Sequence, residues 1–371
     1  MVARHATATN GAEARALTSA TSRLPRTFIA ANFLSSDGGS RSVVEDLAER
    51  MRAGGYELVT ASHHRGGLAR GAHMLATALL GRARYDAAVV DLYSGRAFLI
   101  GEALSFVLKL LGRPFVLVLR GGSLPRFAER HPRRVRACLA RAAAVAAPSP
   151  YLLEAMRPFC DELRLLPNPV NADAYEARVR RTAEPRLVWL RSFHEIYNPS
   201  LAPRVVALLA GEFPDIRLTM VGRDKGDGSL QRTHEVAAAL GVADRITFVG
   251  GVHKRDVPAH LSRGDIFLNT TDVDNTPVSV LEALATGLCV VSTNVGGVPH
   301  LLEDGRDALL VAPRDAGAMA AAVRRLLTDA PLAERLSRAG LQKAAGFDWS
   351  HVFPQWERLL ASVAGRGEAF A

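Results

Sequence analysis

The run from Thr271 to Gly287 sets two carboxylates, Asp274 and Glu282, around what reads as the start of a helix. Thr276 carries the side chain of an N-cap, and Pro277 has the fixed φ that suits a first helical position. A helix starting there leaves the N–H groups of Val278 and Ser279 without intrahelical partners, and its dipole favours an anion at that end. Eight helical residues would separate the two carboxylates by about 12 Å, somewhat less with Asp274 folded into the preceding loop. Such a frame suits a long ligand with a diphosphate in the middle and hydroxyls at both ends. The phosphates would meet the helix N-terminus, and each carboxylate would accept hydroxyl hydrogen bonds. The plainer alternative is that Asp274 caps the helix and Glu282 pairs with an arginine.

Other chemistries find little support. The chain has no G-x-x-x-x-G-K-[ST] loop, no G-x-S-x-G elbow and no H-E-x-x-H. The turn after the first strand reads Asp37-Gly38-Gly39-Ser40, which is not a dinucleotide-binding G-x-G-x-x-G. Three cysteines, Cys138, Cys160 and Cys289, lie far apart, which argues against a disulfide framework or structural zinc. Eleven histidines are scattered, and the adjacent pair His63-His64 reads as loop surface. No metal site is expected.

The elements that must position the two carboxylates alternate strand and helix. Strands are predicted over 27–32, 56–60, 87–92, 115–119, 143–147 and 163–166, with helices near 40–53, 69–80, 98–111, 132–142 and 150–157. Leu166-Pro167-Asn168-Pro169 breaks this rhythm, and a second alternation follows, with strands over 186–190, 217–221, 245–249, 265–269, 288–292 and 308–311. Alternation of this kind means βαβ units on parallel sheets. The chain therefore reads as α/β, with two Rossmann-like domains facing each other across a cleft. The predicted division is a flexible tail 1–26, an N-terminal domain 27–170, a C-terminal domain 171–348, and a last helix in 349–371.

Charge is uneven. Residues 1–175 hold 23 basic against 14 acidic side chains, and the remainder holds 23 of each, so the first half carries the whole excess of +9. Within it, Arg126, Arg130, Arg133, Arg134 and Arg141 are compatible with one helical face, although Pro132 splits the run. That face is a candidate for docking on an anionic membrane surface; a solvated face is the alternative. With aromatics at 6%, a stacking platform for nucleic acid is not expected. Residues 1–26 lack an apolar run like that of a secretory signal, which points to a cytoplasmic protein, peripheral on the inner membrane face at most. Residues 97–111 are lipophilic but carry Glu102 and Lys109, and read as a packed helix.

The segment 271–287 resembles the E-x7-E region of retaining GT-B glycosyltransferases of the family-4 type. The likeness extends to Gly287-Leu288-Cys289-Val290-Val291, Gly296-Gly297-Val298-Pro299 and Leu301-Leu302-Glu303-Asp304-Gly305. It also covers Val221-Gly222, Phe248-Val249-Gly250, Asp265-Ile266-Phe267 and Leu166-Pro167-Asn168, and more loosely the first half from Gly38-Gly39 onward. The resemblance implies a hexosyl transfer from a nucleoside diphosphate sugar, UDP- or GDP-linked, with retained anomeric configuration and no metal or other cofactor. The acceptor would be a glycan or lipid-linked molecule of envelope or exopolysaccharide synthesis. It implies Glu282 on the donor ribose and Asp274 near the reacting centre. Asn275, Thr276, Pro277 and Val278 would lie along the sugar and distal phosphate, Arg191 on the diphosphate, Gly222 beside it, and Val252 against the base. Gly38, Gly39 and Arg120 would serve the acceptor side or a phosphate loop, and the final helix would cross back to the first domain.

The chain departs from the family pattern in three places. The first acid is Asp274 rather than Glu, one methylene shorter. The lysine expected soon after Arg191 is missing from Ser192-Phe193-His194-Glu195, so Lys225 is the expected substitute and Arg223 its rival. Arg120 stands where many relatives carry a histidine. Two rival readings follow: a nucleotide-sugar epimerase on the same fold, and a catalytically degenerate partner subunit.

Overall fold

The computed structural model describes residues 24–34 and 42–367. Most of the expected tail, together with Gly38 and Gly39, lies outside the described residues.

Two six-stranded, all-parallel sheets carry the fold. The first joins β1 (Thr27–Ala30), β2 (Leu58–Ala61), β3 (Ala87–Leu92), β4 (Phe115–Leu119), β5 (Ala144–Ala147) and β6 (Leu163–Leu165) in the order β2-β1-β3-β4-β5-β6. The second joins β7 (Arg186–Leu190), β8 (Arg217–Val221), β9 (Ile246–Gly250), β10 (Ile266–Asn269), β11 (Cys289–Thr293) and β12 (Leu309–Val311) in the order β12-β11-β10-β7-β8-β9. The central strands are continuous apolar runs because helices cover both faces; all five residues of β4 and of β11 are buried. The strand order reverses between β1 and β3 in the first sheet and between β7 and β10 in the second. Loops diverge at such points and leave a crevice beyond the strands' carboxyl ends.

Local signals start the helices that flank these crevices. Ser42 and Glu45 form a reciprocal capping box on helix Val43–Ala53, and Ser149 caps Pro150–Met156 with proline at its first position. The expected single arginine face does not form. His131 separates helix Leu124–Arg130 from Pro132–Leu139, Arg134 is paired to Glu102, and Arg141 donates to Ser105 Oγ at 3.3 Å. Arg126, Arg130 and Arg133 stay exposed. Among the described residues, no helix is long and apolar enough to cross a membrane.

The chain crosses between the sheets twice, and the crossings lie side by side, with Val170 N–H donating to Phe347 O at 2.9 Å. The last helix, Trp349–Gly367, then packs on the first sheet, where Trp349, Val352, Trp356 and Leu360 bury against Ile29, Val89 and Val118. The first crossing is anchored under the second sheet by Asp265, 2% exposed, which takes Arg178, Arg180 and Arg186 at 3.1, 3.1 and 2.6 Å. Arg180 is itself buried and also donates to the carbonyls of Arg178, Thr286 and Gly264. Removing Arg180 would take the donor from three carbonyls and leave the buried Asp265 with only the half-exposed Arg178 and Arg186 as counter-ions. Arg180→Ala should therefore lower stability by about 3–5 kcal/mol in denaturant unfolding, while Arg338→Ala, which breaks the exposed Arg338–Glu334 pair, should cost under about 1 kcal/mol.

Candidate functional site

The loops leaving β7, β8, β9 and β10 meet in a groove beside the second sheet's reversal point. It encloses about 230 Å³ and is lined by Arg191, Gly222, Arg223, Val252, Lys254, Val278, Ser279 and Glu282, with Val43 and Asp46 from the first domain opposite. A second hollow of about 440 Å³ shares Lys254, Val278 and Glu282 and continues the groove toward Tyr175 and Trp349.

Arg191 follows β7 and Asp274 follows β10, so the two strands flanking the reversal deliver one member each of an ion pair. Asp274 Oδ2 accepts from Arg191 Nη2, and its Oδ1 accepts from Asn275 N–H at 2.9 Å. The Arg191 guanidinium lies over the Tyr197 ring at 4.3 Å, which adds a cation–π contact. Burial opposes its charge, and Asp274 together with Tyr197 and Glu282 outweighs this, so its pKa lies above the usual value. Arg191 Nε and Ser279 Oγ are buried without a hydrogen-bond partner. Buried polar atoms in that state carry a cost of roughly 1–3 kcal/mol unless a ligand or water pairs them.

Glu282, 3% exposed, is the second charged centre. Its Oε1 accepts from Tyr175 O–H at 2.9 Å and from the Lys254 ammonium. Burial first, then the Glu282 carboxylate, push the Tyr175 phenol well above its usual pKa, so the hydroxyl stays a donor. Glu282 lies on helix Val278–Ala285, whose N-cap is Pro277 in an extended conformation, one residue later than the sequence pattern suggests. The Thr276 hydroxyl turns away from the helix and donates to Pro148 O of the first domain at 3.3 Å. Val278 and Ser279, whose N–H groups open the helix without intrahelical partners, line the groove.

Asn275 and Thr276 bind the first domain rather than line the groove. Asn275 Oδ1 accepts from the Ser149 hydroxyl, and Thr276 O accepts from Asn168 Nδ2 at 3.4 Å. Arg120 closes this link, with Nη1 on Asn168 Oδ1 and Nε on Asp91 Oδ1, both at 2.9 Å. It braces the junction and is paired to Asp91, not to the groove. Lys225 is exposed and does not line the groove. The lysine that does is Lys254, two residues past Val252 in the Gly250-Gly251-Val252-His253-Lys254 turn, with Arg223 beside it. Tyr175, in the hollow that continues the groove, is another residue that the sequence pattern left out, as are Asp46 and Tyr197, and no local motif marks them.

The groove is therefore lined by Arg191, Arg223 and Lys254, by Glu282 paired to Lys254, and by the first residues of the helix, while Asp274 does not line it and reaches it only through its pair with Arg191. That arrangement can hold an anion between cations while presenting Glu282 as an acceptor to hydroxyls.

Comparison with known proteins places this groove in context. A family model described as glycosyl transferases group 1 matches residues 184–329. A GDP-mannose-dependent alpha-(1-6)-phosphatidylinositol monomannoside mannosyltransferase of Mycobacterium tuberculosis is 30% identical over 219 residues, 57% of this chain and 54% of that protein. A D-inositol 3-phosphate glycosyltransferase of Stackebrandtia nassauensis is 34% identical over 157 residues, 42% of this chain and 33% of that protein. The chain thus spans about half or less of the length of these curated relatives. Among solved structures, sucrose-phosphate synthase of Thermosynechococcus elongatus superposes with a TM-score of 0.77 at 18% identity, covering 93% of this chain and all of that one. Anabaena HepE in complex with UDP-glucose superposes at 0.71 and 16% identity, covering 91% and 100%. At such identities these superpositions establish the two-domain GT-B fold.

The groove's floor depends on glycine at one close approach. A Cβ on Gly222 would stand 1.6 Å from Arg191 O, whereas one on Gly211 would meet nothing within 4 Å. Gly222→Ala should cost at least about 1–3 kcal/mol of stability and displace Arg191, and Gly211→Ala should be near neutral; thermal unfolding of the two variants checks this.

Proposed function

We propose that the chain, whose residues 184–329 match the group 1 glycosyl transferase model and whose described residues adopt the GT-B fold, transfers a hexose from a UDP- or GDP-linked donor with retention of anomeric configuration. The observation that carries this reading is the convergence of Arg191, Arg223, Lys254 and the N-terminus of helix Val278–Ala285 on one groove, with Glu282 beside Lys254. In it, the diphosphate lies against the three cations and the free N–H groups, Arg191 Nε and Ser279 Oγ gain partners, and Glu282 accepts from the ribose hydroxyls. Val252 packs against the base. Cations and helix dipole supply the countercharge for the departing diphosphate, so the reaction needs no metal.

Asp274 faces the transferred sugar from the loop. The bond from the anomeric carbon to the phosphate oxygen breaks as the acceptor hydroxyl forms its new bond from the same face, and the hydroxyl proton leaves to a released phosphate oxygen. The acceptor enters from the first domain, where a cavity of about 280 Å³ at that sheet's reversal point is lined by Asn32, Arg70, Asp91 and Tyr93. A glycan or lipid-linked acceptor of envelope or exopolysaccharide synthesis fits an open cleft of this kind. Exposed Arg126, Arg130 and Arg133 would favour an anionic membrane surface on the inner face of the membrane.

A thermal-shift panel with UDP, GDP, TDP, ADP and CMP tests the donor side. A bound nucleotide at about a hundredfold over its Kd should stabilise by about 2.7 kcal/mol, and the effect should be base-selective. Lys254→Ala should weaken that nucleotide about tenfold to a hundredfold, and Lys225→Ala by less than about twofold. Equal losses in both variants would overturn the assignment of Lys254. A folded chain that shifts with no nucleotide would indicate a degenerate partner subunit, and nucleotide release without any acceptor would indicate an epimerase.

A further inference from the structure

Outside the groove, three imidazoles meet at the cleft-side end of β2, the outermost strand of the first sheet. His63 and His64 lie in the loop after β2, and His73 projects from helix Gly67–Leu80. The ring centroids are 4.5, 5.0 and 5.1 Å apart, and one ring nitrogen from each falls within 4.8 Å of the others. Among the described residues this is the one cluster of three side chains with metal-ligand chemistry. The expectation of plain loop surface for His63 and His64 does not account for it. Adjacent residues of an extended chain point to opposite sides, yet here both rings turn to the same side and meet the third.

The support around the rings is specific. Ser62, fully buried, presents its Oγ to His73 Nδ1 at 3.0 Å and accepts from His64 N–H at 3.2 Å. From the helix side, Arg70 donates to His64 O at 3.0 Å and Arg65 O at 2.7 Å, which ties the loop down. A histidine that donates Nδ1–H to a fixed oxygen offers Nε2 as a ligand, and such outer partners orient metal-bound imidazoles.

We propose that His63, His64 and His73 bind one divalent first-row metal ion, with Zn²⁺ the best match, and that this ion clasps the β2 loop to the helix carrying Arg70. Three neutral imidazoles with a solvent molecule in the fourth position is a zinc-type ligand set. Zn–N bonds of about 2.0–2.1 Å in tetrahedral geometry require nitrogens about 3.3–3.4 Å apart, so modest side-chain rotation closes the site from the present spacing. Arg70 also lines the first-domain cavity, so the ion would hold that wall in place. The inference is independent of the donor-site reading.

The test uses the full chain without a polyhistidine tag, stripped with chelator and titrated with ZnCl₂ by calorimetry, with Co²⁺ absorption as a geometric probe. The expected result is one saturable equivalent per chain and tetrahedral Co²⁺ bands. Both should be lost in His63→Ala/His73→Ala, and Ser62→Ala should weaken Zn²⁺ about 10–100-fold. Circular dichroism confirms that each variant is folded. A folded wild-type chain without saturable binding, or binding unchanged in the double variant, would overturn the site. Wild-type affinity in Ser62→Ala would overturn the assigned role of the serine.

Discussion

The ion pair between Arg191 and Asp274 stands at the point where the second sheet reverses its strand order, and the site is organised around it. A carboxylate buried to this degree is tolerated only with a countercharge, and breaking such a pair costs about 3–5 kcal/mol. Asp274 therefore holds Arg191 in the groove, and Arg191 holds the loop that leads into helix Val278–Ala285. Glu282 and Lys254 form a second such pair in the groove. Each cation is poised between a protein carboxylate and the space a ligand's phosphates would occupy. A diphosphate would compete for Arg191 and Lys254 without having to bring them in from solvent, which lowers the ordering cost of binding.

Backbone packing makes this closeness feasible. Cβ atoms on Gly296 and Gly297 would stand 2.2 and 1.9 Å from the carbonyl oxygens of Asp274 and Asn275, and Gly122 of the first domain approaches the Asp274 carbonyl from the other side. The loop is thus pressed between the two domains. Ser149 and Asn168, the latter held by Arg120, then fasten it by hydrogen bonds. Because the first domain touches the loop that carries Asp274, a change of domain angle would move the carboxylate relative to Arg191.

Much of this was legible in the sequence, and the parts that were not share a cause. All twelve strands fall within two residues of their expected bounds, because strands buried on both faces are continuous apolar runs bounded by turn residues. Arg191, Gly222, Val252, Val278 and Glu282 line the groove because each sits in or just beyond a strand end or on the helix that follows. The helix start moved from Thr276 to Pro277 because the Thr276 hydroxyl is claimed by Pro148 of the other domain, a contact no local pattern encodes. Lys225 looked suitable by its place after β8, but its turn points to solvent, and the turn after β9 brings Lys254 in instead. The arginine face broke for the same reason: Glu102 and Ser105, from a helix distant in sequence, capture Arg134 and Arg141.

The central claim is that Asp274 and a bound diphosphate share Arg191. Calorimetric titration of Asp274→Asn and Arg191→Met with the nucleoside diphosphate that wild type prefers tests it directly. If the claim holds, Asp274→Asn binds the nucleotide as tightly as wild type or more tightly, because a competitor for the guanidinium is gone, while sugar transfer is abolished. Arg191→Met loses affinity by about tenfold to a hundredfold. Equal losses of nucleotide affinity in the two variants would contradict it, since Asp274 would then be supporting the diphosphate site rather than competing with its ligand.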